Sequence, residues 1–301
     1  MNSLNAFDVI RSNPTAKRFE IGEMLFAQFT CPAQEEPLGI WSQTDHLVHV
    51  LSARSTWKTS TGMWSVEAGE TIFFRKGAFV LPPHIEENLC ILIFFLPDAF
   101  VRETVRELAP HLPVISRSLD ARDVVIRVNN DVALSTFFDS ILAYLASDEQ
   151  PPEALLKLKA KELLTGILIN PGNQTLSAYL RSLAICDSPS LPAIMEANFC
   201  HNLRLEAFAK MCHRSLSSFK REFRQCYGIA PEKWLIGRRL ECAAQMLLTT
   251  SISVTEIALE CGFEEPSHFS RVFKVKFGRS PTDFRQQGAR RDNIAKLLLT
   301  S

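Results

Sequence analysis

Two kinds of periodicity divide the chain. Over residues 20–100 the apolar positions come in short alternating or continuous runs, among them His46–Leu51, Trp64–Val66, Thr71–Phe74 and Leu89–Leu96. Turn-rich pieces such as Ser60–Thr61–Gly62 and Glu67–Ala68–Gly69–Glu70 separate them. Runs of this length between turn residues predict the strands of a small antiparallel β-sandwich or barrel. From about Pro97 the period turns helical. Val132, Phe137, Phe138, Ile141, Leu142 and Leu145 share one helix face; Leu155, Leu156, Leu158, Leu163, Leu164 and Ile167 share another, opened by Pro151–Pro152. A third short helix is expected over Leu176–Ala184, before a polar linker at Asp187–Ser190. The apolar faces of residues 131–145 and 153–168 suit either self-association or a cover for the β-layer.

The last third contains an internal repeat, the feature to seek before any local motif is interpreted. Leu205, Phe208, Ala209 and Cys212 fall at i, i+3, i+4 and i+7, and Val254, Ile257, Ala258 and Cys261 repeat that spacing 49 positions later. Each set makes an amphipathic helix with a small alanine on its packing face. After each comes a break, then Phe219, Phe223, Gly228, Pro231 and Trp234, matched 50 positions on by Phe269, Phe273, Gly278, Pro281 and Phe284. One residue has therefore been inserted in the second turn. Each copy reads as helix, tight turn, helix, glycine stop and proline-opened helix. Ser215 is placed to cap the second helix of copy one, Ser253 with Glu256 to form a capping box in copy two, and Ser280 to precede Pro281 and Asp283. Between the copies, Pro231–Thr249 reads as one long helix whose Ile236, Leu240, Ala243 and Leu247 share a face.

In both copies the second helix splits into an apolar and a basic face. Leu216, Phe219 and Phe223 turn one way in copy one, leaving Ser217, Lys220, Arg221 and Arg224 on the other. In copy two Phe269, Phe273 and Phe277 oppose Ser267, Ser270, Arg271 and Lys274, with His268 alongside. A helix that enters the DNA major groove needs this division: one side packs on its own domain, the other meets base edges and phosphates. A single such helix would read as an ordinary solvated face. Two copies with cations at matching positions argue for nucleic acid. Charge supports this: residues 189–287 hold 14 Lys/Arg against 10 Asp/Glu, whereas residues 1–188 hold 16 against 22.

The stretches FAKMCHRSLSSFKREFRQCYGIAPEKW and VTEIALECGFEEPSHFSRVFKVKFGRSPTDFR resemble the two halves of the DNA-binding domain of AraC/XylS-type transcription regulators. The resemblance implies an α+β protein. A cupin-like β-barrel with a helical dimerisation segment would occupy residues 1–186, and an all-α double helix-turn-helix domain joined by a long helix residues 187–287, with a tail at 288–301. It further implies base contacts by Ser217, Lys220 and Arg221 in copy one and by Ser267, His268 and Arg271 in copy two. Arg224 and Lys274 would contact phosphates. Pro266 departs from the family pattern, because it offers no donor where relatives carry a polar side chain. The two recognition helices would enter successive major grooves roughly 34 Å apart. WKTSTGMWSVEAGETIFFRKGAF resembles the subgroup that regulates type III secretion, in which a partner protein controls the N-terminal domain.

The function expected is a DNA-binding transcription activator in the cytoplasm. Its partners would be double-stranded promoter DNA, RNA polymerase, a second copy of the chain, and a regulatory protein or small-molecule effector; no cofactor and no membrane are expected. The competing reading is a ligand-binding or enzymatic cupin whose helical domain makes protein contacts. His46, His49 and His84 are the candidates for a cupin metal site, but His46 and His49 fall on opposite faces of a strand and no carboxylate motif follows. Trp57 and Trp64 suit a ligand pocket or core packing alike. No catalytic constellation stands out. The eight cysteines, at 31, 90, 186, 200, 212, 226, 242 and 261, lack metal-ligand spacing and are expected as reduced, buried thiols.

Overall fold

The computed structural model describes residues 3–31, 35–59, 62–83, 89–113, 124–147, 151–185 and 189–286. His84, Cys186 and the tail at 288–301 lie outside the described residues. The chain divides into a larger unit built mainly from residues 2–197 and a smaller one built mainly from residues 198 onward. In the larger unit the elements are β1 (Leu4–Asn5), α1 (Ala6–Ser12), β2 (Lys17–Ile21), β3 (Met24–Cys31), β4 (Leu38–Ser42), β5 (His46–Ser52), β6 (Ser55–Thr59), β7 (Gly62–Val66), β8 (Thr71–Phe74), β9 (Gly77–Leu81), β10 (Leu89–Phe95), α2 (Asp98–Leu108), β11 (Val125–Val128), α3 (Val132–Ala146), α4 (Glu153–Ile169), α5 (Gln174–Ile185) and α6 (Leu191–Asn198).

The strands form two sheets, in the orders β1-β4-β9-β6-β7 and β11-β8-β5-β10-β3-β2. Among the described residues the sheets pack face to face rather than closing into one barrel, an open form of the cupin-like architecture. Strand β10 shows why its sequence is continuously apolar. Ile91, Ile93 and Phe95 enter the core between the sheets with Val48, Val50, Trp57 and Phe79. Leu92 and Phe94 point the other way, into a second core shared with Phe137, Phe138, Ile141, Leu163 and Ile167 of α3 and α4. Both faces of the strand are covered, so alternation of apolar and polar residues has no cause. The apolar faces of α3 and α4 are thus occupied in covering the sheet. Val132 and Leu158, counted with those faces in the sequence, lie instead 84% and 63% exposed. Strand β11 falls in a stretch that reads as helical from the sequence; it pairs with β8 and extends the second sheet by one edge.

His46 and His49 do point to opposite sides. His46 stacks on Phe74 and Phe95 between the sheets, with centroids 5.1 Å away in both cases, and His49 stacks at 4.0 Å on Phe138 of α3. Between the sheets lies a cavity of about 260 Å³ under α1, lined by Ile10, His46, Trp57, Phe74, Phe79 and Ile93 among others. A buried polar network ties the second sheet to the helices: Asp45 accepts from the Lys76 backbone N–H at 2.7 Å and from the Tyr179 hydroxyl at 2.7 Å. No described helix is long and apolar enough to cross a membrane.

The smaller unit contains α7 (Leu205–Met211), α8 (Leu216–Tyr227), α9 (Pro231–Thr249), α10 (Val254–Glu260), α11 (Pro266–Phe277) and a final helical segment at 281–286. Its boundaries follow the chemistry of the ends. Ser215 accepts from the Ser218 N–H, and Ser253 and Glu256 form both bonds of a capping box. Gly228 and Gly278 close α8 and α11 in the left-handed conformation, at φ 70° and 75°, with N–H groups bonded to the Arg224 and Lys274 carbonyls. Glycine adopts that conformation without steric cost.

Candidate nucleic-acid interface

The repeat in sequence is a repeat in structure. Helices α8 and α11 each run twelve residues and bury a phenylalanine pair, Phe219/Phe223 and Phe269/Phe273, none of the four exposing any area. The N-terminal half of α9 anchors the first helix, with Trp234 edge-on to Phe223 at 5.8 Å. The C-terminal half holds the second through Leu240, Ala243 and Leu247, which pack with Ile257, Ala258, Phe269 and Phe273. One helix, α9, therefore carries both α8 and α11. The tight turn of copy two needs Gly262, at φ 85°, where an added Cβ would lie 2.5 Å from the Cys200 carbonyl oxygen.

With the phenylalanines fixed inward, helical geometry fixes what points out. Ser217, Arg221 and Arg224 are exposed on α8, as are Ser267, Arg271 and Lys274 at the corresponding positions of α11. His268 is half-buried, edge-on to Phe263 at 6.0 Å. Ser217, Lys220, Arg221, Arg224 and Gln225 line one open groove of about 450 Å³ along α8. The Ser217 hydroxyl also lies 3.1 Å from the capping hydroxyl of Ser215. Gln225 is a groove residue that the sequence reading missed; it stands one position beyond the basic stripe and carries no charge to mark it.

The structure sorts the cations of this unit into two groups. Lys220 faces Glu232 at 3.4 Å, both partly exposed, so its charge is shared within the domain. Arg221, Arg224, Arg271 and Lys274 have no ion-pair partner among the described residues. Lys276, on the same helix as Arg271, turns inward: its ammonium donates to the Gly237 carbonyl at 2.8 Å and to Glu241 at 2.9 Å. Arg285 donates to the Leu247 and Ile252 carbonyls, and Arg239 to those of Phe199 and His201. Basic residues that would all count as a positive patch in sequence are thus divided into internal ties and outward charges. Of the outward ones, Arg221, Arg224, Arg271 and Lys274 lie on the faces of α8 and α11 opposite the phenylalanines.

Comparison with known proteins agrees with both halves. Residues 45–179 match the ExsA N-terminal regulatory domain, and residues 208–287 match a helix-turn-helix domain. The virulence regulon transcriptional activator VirF of Yersinia enterocolitica serotype O:8 is 27% identical over 241 residues, 80% of this chain and 89% of the relative. The HTH-type transcriptional regulator ExsA of Pseudomonas aeruginosa is 28% identical over 218 residues, 72% of this chain and 77% of the relative. A solved structure of the DNA-binding domain of AdpA with a target DNA is 33% identical and covers 31% of this chain and 84% of that one, at a TM-score of 0.30.

Proposed function

Because the chain belongs to the AraC/XylS family of transcription regulators, we propose that it activates a virulence regulon, of the kind for which VirF is named, by docking α8 and α11 in successive major grooves of one promoter site. It is a sequence-specific DNA-binding regulator, built as a regulatory domain followed by a double helix-turn-helix. The supporting observation is the pair of reading helices on which Arg221 and Arg271 occupy equivalent exposed positions free of internal ion pairs. In this reading Ser217, Lys220, Arg221, Ser267, His268 and Arg271 read bases, and Arg224 and Lys274 hold phosphates. Lys220 leaves Glu232 to do so. The protein acts in the cytoplasm with RNA polymerase, as a homodimer; residues 1–186 serve regulation and dimerisation and residues 187–287 DNA binding.

The test is selection of binding sites from random duplex at fixed salt. Two half-elements about one helical turn apart are expected. A single element, or binding indifferent to sequence, refutes the two-headed reading.

The signal that the regulatory domain receives is a partner protein if the chain follows the type III secretion subgroup. One observation favours a small molecule instead. His46 is 1% exposed and lines the cavity between the sheets, and its Nε2 has no partner among the described residues. Its Nδ1 lies 3.3 Å from the Thr44 carbonyl, which can only accept, so Nδ1 carries the proton and Nε2 presents a lone pair. Burial holds the ring's pKa at about 4, hence neutral near pH 7. The ligand that fits is a compact apolar molecule with one hydroxyl or N–H donor. Thermal shift with phenols and indoles tests this: stabilisation lost in His46→Phe supports it. Stabilisation by none of them, together with co-purification of a partner protein, overturns it.

A further inference from the structure

Three thiols far apart in sequence meet in the smaller unit. Cys200 precedes α7, Cys242 lies on α9 and Cys261 follows α10; Cys242 packs against the core cluster that contains Cys261, and Arg239, one turn before Cys242 on α9, holds the backbone on both sides of Cys200. Cys200 and Cys242 are partly exposed, whereas Cys261 is fully buried. The backbone around Cys200 is clamped onto α9, because Arg239 donates to the Phe199 carbonyl at 2.7 Å and to the His201 carbonyl at 2.8 Å. It also presses on the second helix-turn-helix. The Cys200 carbonyl occupies the space that a Cβ at Gly262 would need, and Asn202 bonds Glu264 in the same turn. A movement of Cys200 is therefore passed directly to the turn that sets α11.

We propose that Cys242 and Cys200 are a peroxide-sensitive thiol pair whose oxidation to a disulfide lowers the affinity of the double helix-turn-helix for DNA. Cys242 is the nucleophile. The hydrogen bond from Cys200, then that from Cys261, and the charge of Arg238 hold its thiol well below the ordinary value against the opposing effect of burial, and the thiolate is the reactive form. Its sulfur attacks a hydroperoxide: an S–O bond forms, the O–O bond breaks, and the departing alkoxide or hydroxide takes a proton. The Cys242 sulfur is thereby oxidised by two electrons to a sulfenic acid. Cys200 then attacks that sulfur, the S–S bond forms, and the hydroxide leaves with a proton as water. Two thiols and one hydroperoxide give one disulfide, one alcohol or water, and one further water. Cys200 resolves the intermediate rather than Cys261, because it sits in a loop, and the Cys261 thiol also reaches Met246 Sδ at 3.7 Å.

The inference rests on the DNA-binding reading, and its test separates the two. Full-length protein is treated with hydrogen peroxide, digested without reduction for mass mapping, and titrated with cognate duplex before and after dithiothreitol. A linked Cys200–Cys242 peptide and an affinity loss of about 5- to 150-fold, the usual range of coupling between two sites, reversed by dithiothreitol, are expected. Cys242→Ser abolishes both, while Cys226→Ser, at an exposed and isolated thiol, changes neither. Should Cys242→Ser prove unstable, Cys200→Ala in the loop reports the same loss of linkage. Absence of the linked peptide, or its formation with affinity unchanged, overturns the proposal. A reduced protein that binds no duplex would refute the DNA reading alone, since the mass map still reads the thiols.

Discussion

Arg271→Ala separates reading DNA from holding the domain together. Arg271 is exposed on the face of α11 opposite Phe269 and Phe273 and has no ion pair or side-chain hydrogen bond among the described residues, so its truncation removes neither. Alanine is also at least as good a helix former as arginine. Folding stability should therefore move by less than about 0.5 kcal/mol, the usual limit for a surface site. Binding should not be spared. A bidentate arginine–guanine contact is worth about 1–3 kcal/mol of discrimination, or roughly 5- to 150-fold. The matched control is Lys276→Ala on the same helix, which loses two hydrogen bonds that tie α11 to α9. It should cost about 1 kcal/mol of stability, lowering the melting temperature by about 4–8 °C if the domain melts alone, with sequence preference intact. The assay is fluorescence anisotropy against cognate and scrambled duplexes at fixed salt, beside thermal unfolding. If Arg271→Ala weakens both duplexes equally, the residue holds phosphate and reads no base. If it melts early while Lys276→Ala does not, the division of cations drawn from the structure is wrong.

Arg224→Ala and Lys274→Ala should each weaken cognate and scrambled duplex alike and reduce the slope of log affinity against log salt by about one, because each phosphate contact releases counterion; an unchanged slope refutes the assignment. Gly262→Ala combines a left-handed backbone with a Cβ placed 2.5 Å from the Cys200 carbonyl oxygen. It should cost about 2–4 kcal/mol by strain and overpacking, read as a lower denaturant midpoint, and near-wild-type stability would show that the turn yields. His46 is neutral in the fold because burial lowers its pKa to about 4 from 6.5. The unfolded chain therefore binds the proton first, and stability is lost as pH falls from 6.5 toward 4. From pH 7 to pH 5 this amounts to about 2 kcal/mol, which His46→Phe, retaining a ring on Phe74 and Phe95, should remove from the pH profile of urea unfolding; an unaltered profile in the variant would refute the account.

What could be foreseen from the sequence depended on whether its cause was local. Caps, glycine stops and proline openings act within a few residues, so Ser215, Ser253 with Glu256, Gly228 and Gly278 mark the helix ends correctly. The repeat then gives the helix-turn-helix pair and its outward stripe. Causes distant in sequence were hidden. The stretch at Val125–Val128 is a strand only because the edge of β8 awaits it. Lys276 looks like one more DNA-facing cation until Gly237 and Glu241 of α9 are placed beside it. The cysteines carry no ligand spacing, yet three converge because α9 passes both the loop before α7 and the turn after α10. The same helix that spaces the two reading heads brings Cys242 against Cys200. A chemical change at that point therefore bears on the turn at Gly262 that sets α11, and the first consequence to seek is the loss of affinity for the cognate duplex.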